Sequence, residues 1–306
     1  MNVIDWLLSG DVSIQYAVHK YLLHTKEEEL LKLQECIAEE GFGKQFLDCR
    51  NETGHWGLHY YQPKWTSTHY TLLDLKHLEL SPNHPMVQET IQRMFHECQL
   101  SDGGMNLSKS DLPSDLGVDG MVLTYVAYFC PHDPRINHLI DSILNKQRSD
   151  GGFDLIGAEN IYTPFVTMCV LEGLGECILQ KVDYRKDDLL HAEQSAISFF
   201  INHRFYIDDH DRRFRLLTYP SRYHYDLLRI LEFLARRGIP YQPAFDHLLE
   251  WLKAKQTKEG VWNLEFVHPG HVHFEMECTH KPSRIITWKA LHALSFYHVI
   301  DLSQVL

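Results

Sequence analysis

The chain has 306 residues, with 29 basic and 41 acidic side chains and a formal net charge of −12. That balance argues against nucleic-acid binding, which needs a basic patch; Arg212, Arg213 and Arg215 form only a small group interleaved with acids. The longest apolar-rich run, 120–130, is eleven residues and too short to span a bilayer. Seven scattered cysteines without a C-x-x-C, and an N-terminus without a basic n-region, predict free thiols in a reducing cytoplasm.

Apolar spacing predicts helices over 11–24, 26–39, 66–80, 86–98, 116–130, 136–146, 164–179, 187–203, 222–237, 243–255 and 282–300. Thr66-Ser67-Thr68 offers capping chemistry, and Pro164 suits a first helical turn. Segment 116–130 is apolar nearly all round, which marks an enclosed helix. No sustained period-2 strand occurs; 62–70 and 267–277 alternate only briefly.

A polar glycine turn recurs between these helices. Its copies are Asn51-Glu52-Thr53-Gly54-His55-Trp56, Ser101-Asp102-Gly103-Gly104-Met105, Ser149-Asp150-Gly151-Gly152-Phe153 and Thr257-Lys258-Glu259-Gly260-Val261-Trp262. Trp56 and Met105 are 49 residues apart, Met105 and Phe153 are 48 apart, and Phe153 and Trp262 are 109 apart, which leaves a blurred copy near 202–214. A fixed period of this size marks a repeat architecture. Each turn is preceded by one helix and followed by a more apolar one. The solution that encloses the apolar set is an all-α toroid, with about six inner and five to six outer helices. The repeat crosses both halves without a linker, so a single domain over 1–306 is expected.

Gln99…Gly103-Gly104-Met105, Gln147…Gly151-Gly152-Phe153 and Gln256…Gly260-Val261-Trp262 resemble the QW-type repeats of the terpenoid cyclase and protein prenyltransferase superfamily. The whole chain, from Trp6 through Lys64-Trp65-Thr66 to Pro282-Ser283-Arg284, looks most like uncharacterised bacterial squalene-cyclase-like proteins. The resemblance implies a toroid, and an apolar or isoprenoid-like ligand. It does not carry over a known chemistry. The D-x-D-D acid motif of class II enzymes is absent, Asp208-Asp209-His210-Asp211 has the wrong spacing for D-D-x-x-D, and no convincing zinc triad aligns. P-loop, Rossmann and G-x-S-x-G motifs are also missing, and any cofactor stays unassigned.

Candidate site residues lie where a toroid gathers its loops and inner-helix N-termini. Asp115 and Asp119, four apart, would share a helix face; enclosed together, one would be pushed toward a general-acid pKa, the alternative being N-capping. Trp65, His69 and Tyr162 are expected to line a cavity, with Tyr60, Tyr61 and Tyr70 nearby. Arg222-Tyr223-His224-Tyr225-Asp226 supplies a possible anion clamp, a ring, a proton shuttle and a carboxylate. In 268–277, His271, His273, Glu275 and Glu277 would share one side of an extended segment. That set could ligate zinc or iron, but the preferred reading is a pocket acid, Glu275 or Glu277, paired with Arg284. Three functions compete: acid chemistry on an isoprenoid, which needs a long, dry, aromatic cavity; a carbohydrate hydrolase or lyase on an (α/α)6 scaffold, which needs paired acids in an open cleft; and a non-catalytic toroid that only binds.

Overall fold

A computed structural model describes residues 2–155 and 163–304. Its helices are α1 Val3–Leu8, α2 Val12–Tyr21, α3 Glu27–Cys36, α4 Gly41–Asp48, α5 Thr68–His77, α6 Pro85–Cys98, α7 Leu116–Phe129, α8 Arg135–Leu144, α9 Thr163–Leu179, α10 Lys186–Asn202, α11 Leu227–Arg236, α12 Asp246–Ala254 and α13 Arg284–Phe296. Among the described residues, extended pairing is limited to isolated bridges, as at Thr218–Phe266 and Asn263–Pro282.

The apolar pattern sorts these helices. All of α7 is buried, as is nearly all of α5, α9, α11 and α13. By contrast α6, α8 and α12 bury one face, and α3 buries no residue fully. The enclosed helices form a ring. α7 packs between α5 and α9, and α11 on α13, which packs on α2. Arg229 of α11 bridges to Glu172 of α9, and Lys20 and Tyr21 of α2 reach Glu79 just beyond α5, closing the circle. The other helices lie outside, giving an α/α toroid. α1 and α4 were not anticipated as separate helices, and the segment expected to start a helix at 222 enters one only at Leu227. The tightest contact is α7 on α9. There a Cβ on Gly120 would stand 2.6 Å from the backbone of Cys169, and one on Gly173 would stand 2.7 Å from the Gly120 carbonyl oxygen. Only glycine permits that approach.

The four glycine turns are geometrically equivalent corners. Gly54, Gly103, Gly151 and Gly260 have φ of +76°, +89°, +89° and +84°, a region that disfavours any side chain. Gln99, Gln147 and Gln256 donate back to the carbonyls of Gly103, Gly151 and Gly260; Arg50 does this for Gly54. Gln99 and Gln147 also donate to Arg135 and Ala192 carbonyls of the next outer helices, which fastens each corner to its neighbour.

Each corner is then clasped to an inner helix. The buried N–H of the residue after the glycines donates to a side-chain oxygen: Trp56 to Thr68, Phe153 to Thr167 and Trp262 to Thr287, at 2.9–3.1 Å. In the second corner, Met105 donates to Asp119 at 2.8 Å. The corners therefore sit at the inner-helix N-termini, while Glu79, Glu176, Arg236 and Lys20 meet near the opposite ends.

Candidate functional site

The axis of the ring is filled rather than open. Between α5, α9 and α11, Lys76 pairs with Glu176 at 2.8 Å and Arg229 with Glu172 at 2.6 Å. Arg236 lies 3.7–4.0 Å from Glu79, Glu176 and Glu232. The Lys20 and Arg236 cations hold Glu79 ionised against its burial, down to about 2. Lys20, Lys76 and Arg236 lie in the last turns of α2, α5 and α11, where the C-terminal carbonyls favour a cation. The space left between these pairs is about 30 Å³, room for little more than a water molecule.

Two hollows open at the corner end, while a wider and more open one of about 610 Å³ lies at the opposite end beside Tyr21, His24 and His292. The larger of the two, of about 240 Å³, is walled by Phe46, Trp65, Tyr219, Val272, Phe274 and Met276. Segment 264–281 roofs it. Its placement is fixed by Trp65 Nε1 donating to the Pro269 carbonyl at 2.8 Å and by His273 Nε2 sharing a hydrogen bond with Thr71 at 3.0 Å. Arg222 and Asp74 form a buried ion pair in its lining, and the Arg222 guanidinium lies 5.5 Å from the Trp65 ring and 5.3 Å from Tyr70. Burial raises the Asp74 carboxyl despite Arg222. A second hollow of about 150 Å³ is lined by Tyr61, Lys64, Asp115, Met121, Cys169 and Tyr223, among others. Lys64 lies over both the Trp65 and Tyr223 rings, at 4.8 and 4.5 Å, between the two hollows.

Of the residues expected to converge, Trp65, Arg222, His273 and Glu275 line the larger hollow, with Glu275 exposed at its rim. Asp115 and Tyr223 line the smaller one, and Asp115 Oδ1 also caps α7 by accepting from Gly117 and Val118. His224 stacks between Tyr223 and His268, 4.2 and 4.9 Å away, and burial lowers its pKa to about 4.

Others are placed elsewhere. Asp119 is fully buried and spends one oxygen on the corner clasp; burial pushes it up to about 6. Its carboxylate occupies the place that threonine holds in three corners, so the four-residue spacing from Asp115 does not make an acid pair in either hollow. Asp226 caps α11 by accepting from Arg229 N–H, and burial raises it to about 7. His69 is buried against Tyr125, 3.2 Å from its hydroxyl, and burial lowers it to about 3. Arg284 packs over Trp6 and donates to the Trp6 carbonyl, fastening α1 instead of pairing with Glu275. Glu277 lines the hollow, yet its carboxylate accepts from Ser283 and from the Arg284 and Ile285 N–H groups, capping α13. Tyr162 lies outside the described residues. Among the described residues, no group of three His, Cys, Asp or Glu is arranged to hold a metal, and no helix is long and apolar enough to cross a membrane. Asp74, Lys64 and His268 were not anticipated, because Asp74 sits mid-helix in an apolar run with no local signal of its partner, 148 residues away.

Neither a protein-family model nor a curated protein matches the chain. Among solved structures, a protein from Actinoplanes is 16% identical, with 94% of this chain and 90% of that one covered and a TM-score of 0.49. The type II terpene cyclase MstE from Scytonema is 12% identical, covering 92% of this chain and 100% of that one, with a TM-score of 0.34. A variant of MstE in complex with its product, merosterolic acid A, gives 13% and a TM-score of 0.30, over 90% and 98% of the two chains. The toroid assignment rests on the helix packing of the chain itself.

Proposed function

We propose that this chain binds a compact, mainly apolar, isoprenoid-like ligand in the 240 Å³ hollow at the corner end of the ring. The observation that carries this reading is size and lining together. A closed apolar cavity of about 150 Å³ accepts benzene, so the hollow suits roughly ten non-hydrogen atoms. Its aromatic and aliphatic walls suit a ring or short branched chain. Long polyprenes would need the axis, which buried ion pairs occupy.

Two chemistries gain less support. Protonation of an alkene by Asp119 would have to use a carboxyl committed to the Met105 clasp. Glycoside hydrolysis needs two carboxylates flanking the scissile bond; Asp74 is held by Arg222 and Glu277 by the start of α13, which leaves Glu275 alone on the rim. The test is calorimetric titration with acyclic terpenols of ten, fifteen and twenty carbons. The ten-carbon compound is expected to bind tightest, and Val272→Trp, which fills the hollow from its roof, to abolish binding. Tightest binding by the twenty-carbon compound, or binding untouched by Val272→Trp, would refute the proposal.

A further inference from the structure

The lining of the larger hollow contains three polar side chains that are more than nine-tenths buried: Asp74, Arg222 and His268. They are incompletely satisfied. The Arg222 guanidinium donates from Nη1 to Asp74 Oδ1, the one side-chain hydrogen bond it makes among the described residues, which leaves most of its five N–H donors unused. Asp74 Oδ2 and His268 Nε2 are buried without a protein partner. Buried polar atoms left in this state each cost about 1–3 kcal/mol, so the hollow carries a chemical demand that its apolar walls do not meet.

Charge decides what can meet it. Asp74 and Arg222 already neutralise one another, and Arg222 is further held over the Trp65 and Tyr70 rings. With Glu275 and Glu277 also in the lining, an anionic ligand would add to an excess of negative charge, and a cationic one would set a second positive charge beside Arg222; either is costly. A pure hydrocarbon would fill the volume but seal the unpaired oxygen and N–H groups away from water. A hydroxyl both donates and accepts. A small turn of the Asp74 carboxyl, whose Oδ2 is covered in the structure, would let it take the hydroxyl proton while Arg222 donates to the hydroxyl, without altering the charge of the site.

Building on the small-ligand reading above, we infer that the hollow selects a neutral alcohol, with Asp74 and Arg222 as its specificity-determining pair. Selection of this kind is strong, because a site built around a hydroxyl penalises the analogue that lacks it.

The test is calorimetric titration of the full chain at pH 7 with perillyl alcohol, limonene and perillic acid, which share one ring skeleton. Perillyl alcohol is expected to bind at least tenfold more tightly than the hydrocarbon or the carboxylate, and Val272→Trp to abolish its binding. Asp74→Asn, which leaves the Arg222 charge uncompensated, is expected to turn the preference toward perillic acid. If limonene or perillic acid matches the alcohol in the wild type, and Val272→Trp abolishes all three, the inference fails while the hollow stands as a small-ligand site. An unchanged alcohol preference in Asp74→Asn also overturns it. Absence of binding by any of the three, or binding that survives Val272→Trp, removes the underlying reading as well. Should Asp74→Asn not fold, the wild-type and Val272→Trp arms decide the question.

Discussion

The two ends of the ring handle polarity in opposite ways. Toward the inner-helix C-termini, Lys76 and Arg236 meet Glu176, Glu79 and Glu232, with the Arg229–Glu172 pair further along the axis, and the space between them closes. At the corner end, aromatic rings and neutral histidines surround hollows in which Asp74 and His268 keep unpaired atoms. Both ends keep unpaired atoms, Glu232 Oε1 and His77 Nδ1 among them at the first, but the first end pairs its charges around little free space, and the second leaves its unpaired atoms in the lining of a hollow. The difference separates what the fold uses for cohesion from what it leaves for a ligand, although both ends are rich in titratable groups.

Acid should break this contrast most strongly. Burial lowers His69 and His268 to about 3, and His224 and His273 to about 4, so these rings stay neutral in the fold while the unfolded chain protonates near 6.5. The unfolded state then binds more protons, and stability falls as pH drops from 6.5 toward 4. Asp119 and Asp226, raised to about 6 and 7, oppose this, because their contribution grows as pH falls. Asp74 and Glu277 are raised by burial as well, but burial also lowers His55, His77, His84 and His292, so eight imidazoles stand against four carboxyls. The Glu79 pairing is present above about 4.5 and is lost only toward 2. The urea midpoint should therefore fall between pH 7 and 4.5, with hydrogen exchange rising first at the corner end. A flat or rising midpoint would contradict this.

Substitution at the ion-paired end comes next. Lys76→Met leaves Glu176 buried beside Arg236 alone and should cost about 3–5 kcal/mol in urea denaturation, whereas Lys76→Met with Glu176→Met should recover most of that. A similar loss in single and double variants would show that packing, and not charge, holds this end.

Smaller effects are expected at the corners. Thr167→Val strands the buried Phe153 N–H and should cost about 1–3 kcal/mol. Asp119→Thr supplies the oxygen used in the other corners, and its cost in urea denaturation should stay within about 1 kcal/mol. A much larger cost would give Asp119 a role beyond its clasp.

The corners explain why so much of the fold was legible. A positive φ at Gly54, Gly103, Gly151 and Gly260 is a local demand that leaves a local trace, and its period gives the ring. The clasps left a trace too. Asp119 follows Met105 by 14 positions as Thr167 follows Phe153, so alignment of those two repeats would have set Asp119 on a threonine, whereas the spacings of 12 and 25 in the other two corners conceal the match. The site was less legible because its determinants are not local. Lys76 and Glu176 are 100 positions apart, and Asp74 finds Arg222 across the ring. Arg284 shows the same limit from the other side: its guanidinium lies over Trp6 near the N-terminus, and only its backbone N–H meets Glu277.

The most direct test is a crystal structure of the protein soaked with perillyl alcohol. The account predicts ligand density between Trp65, Phe274 and Arg222, with its hydroxyl at Asp74 and with the Lys76–Glu176 and Arg229–Glu172 pairs intact. Ligand density running down the axis, with those pairs parted to admit it, would contradict the account.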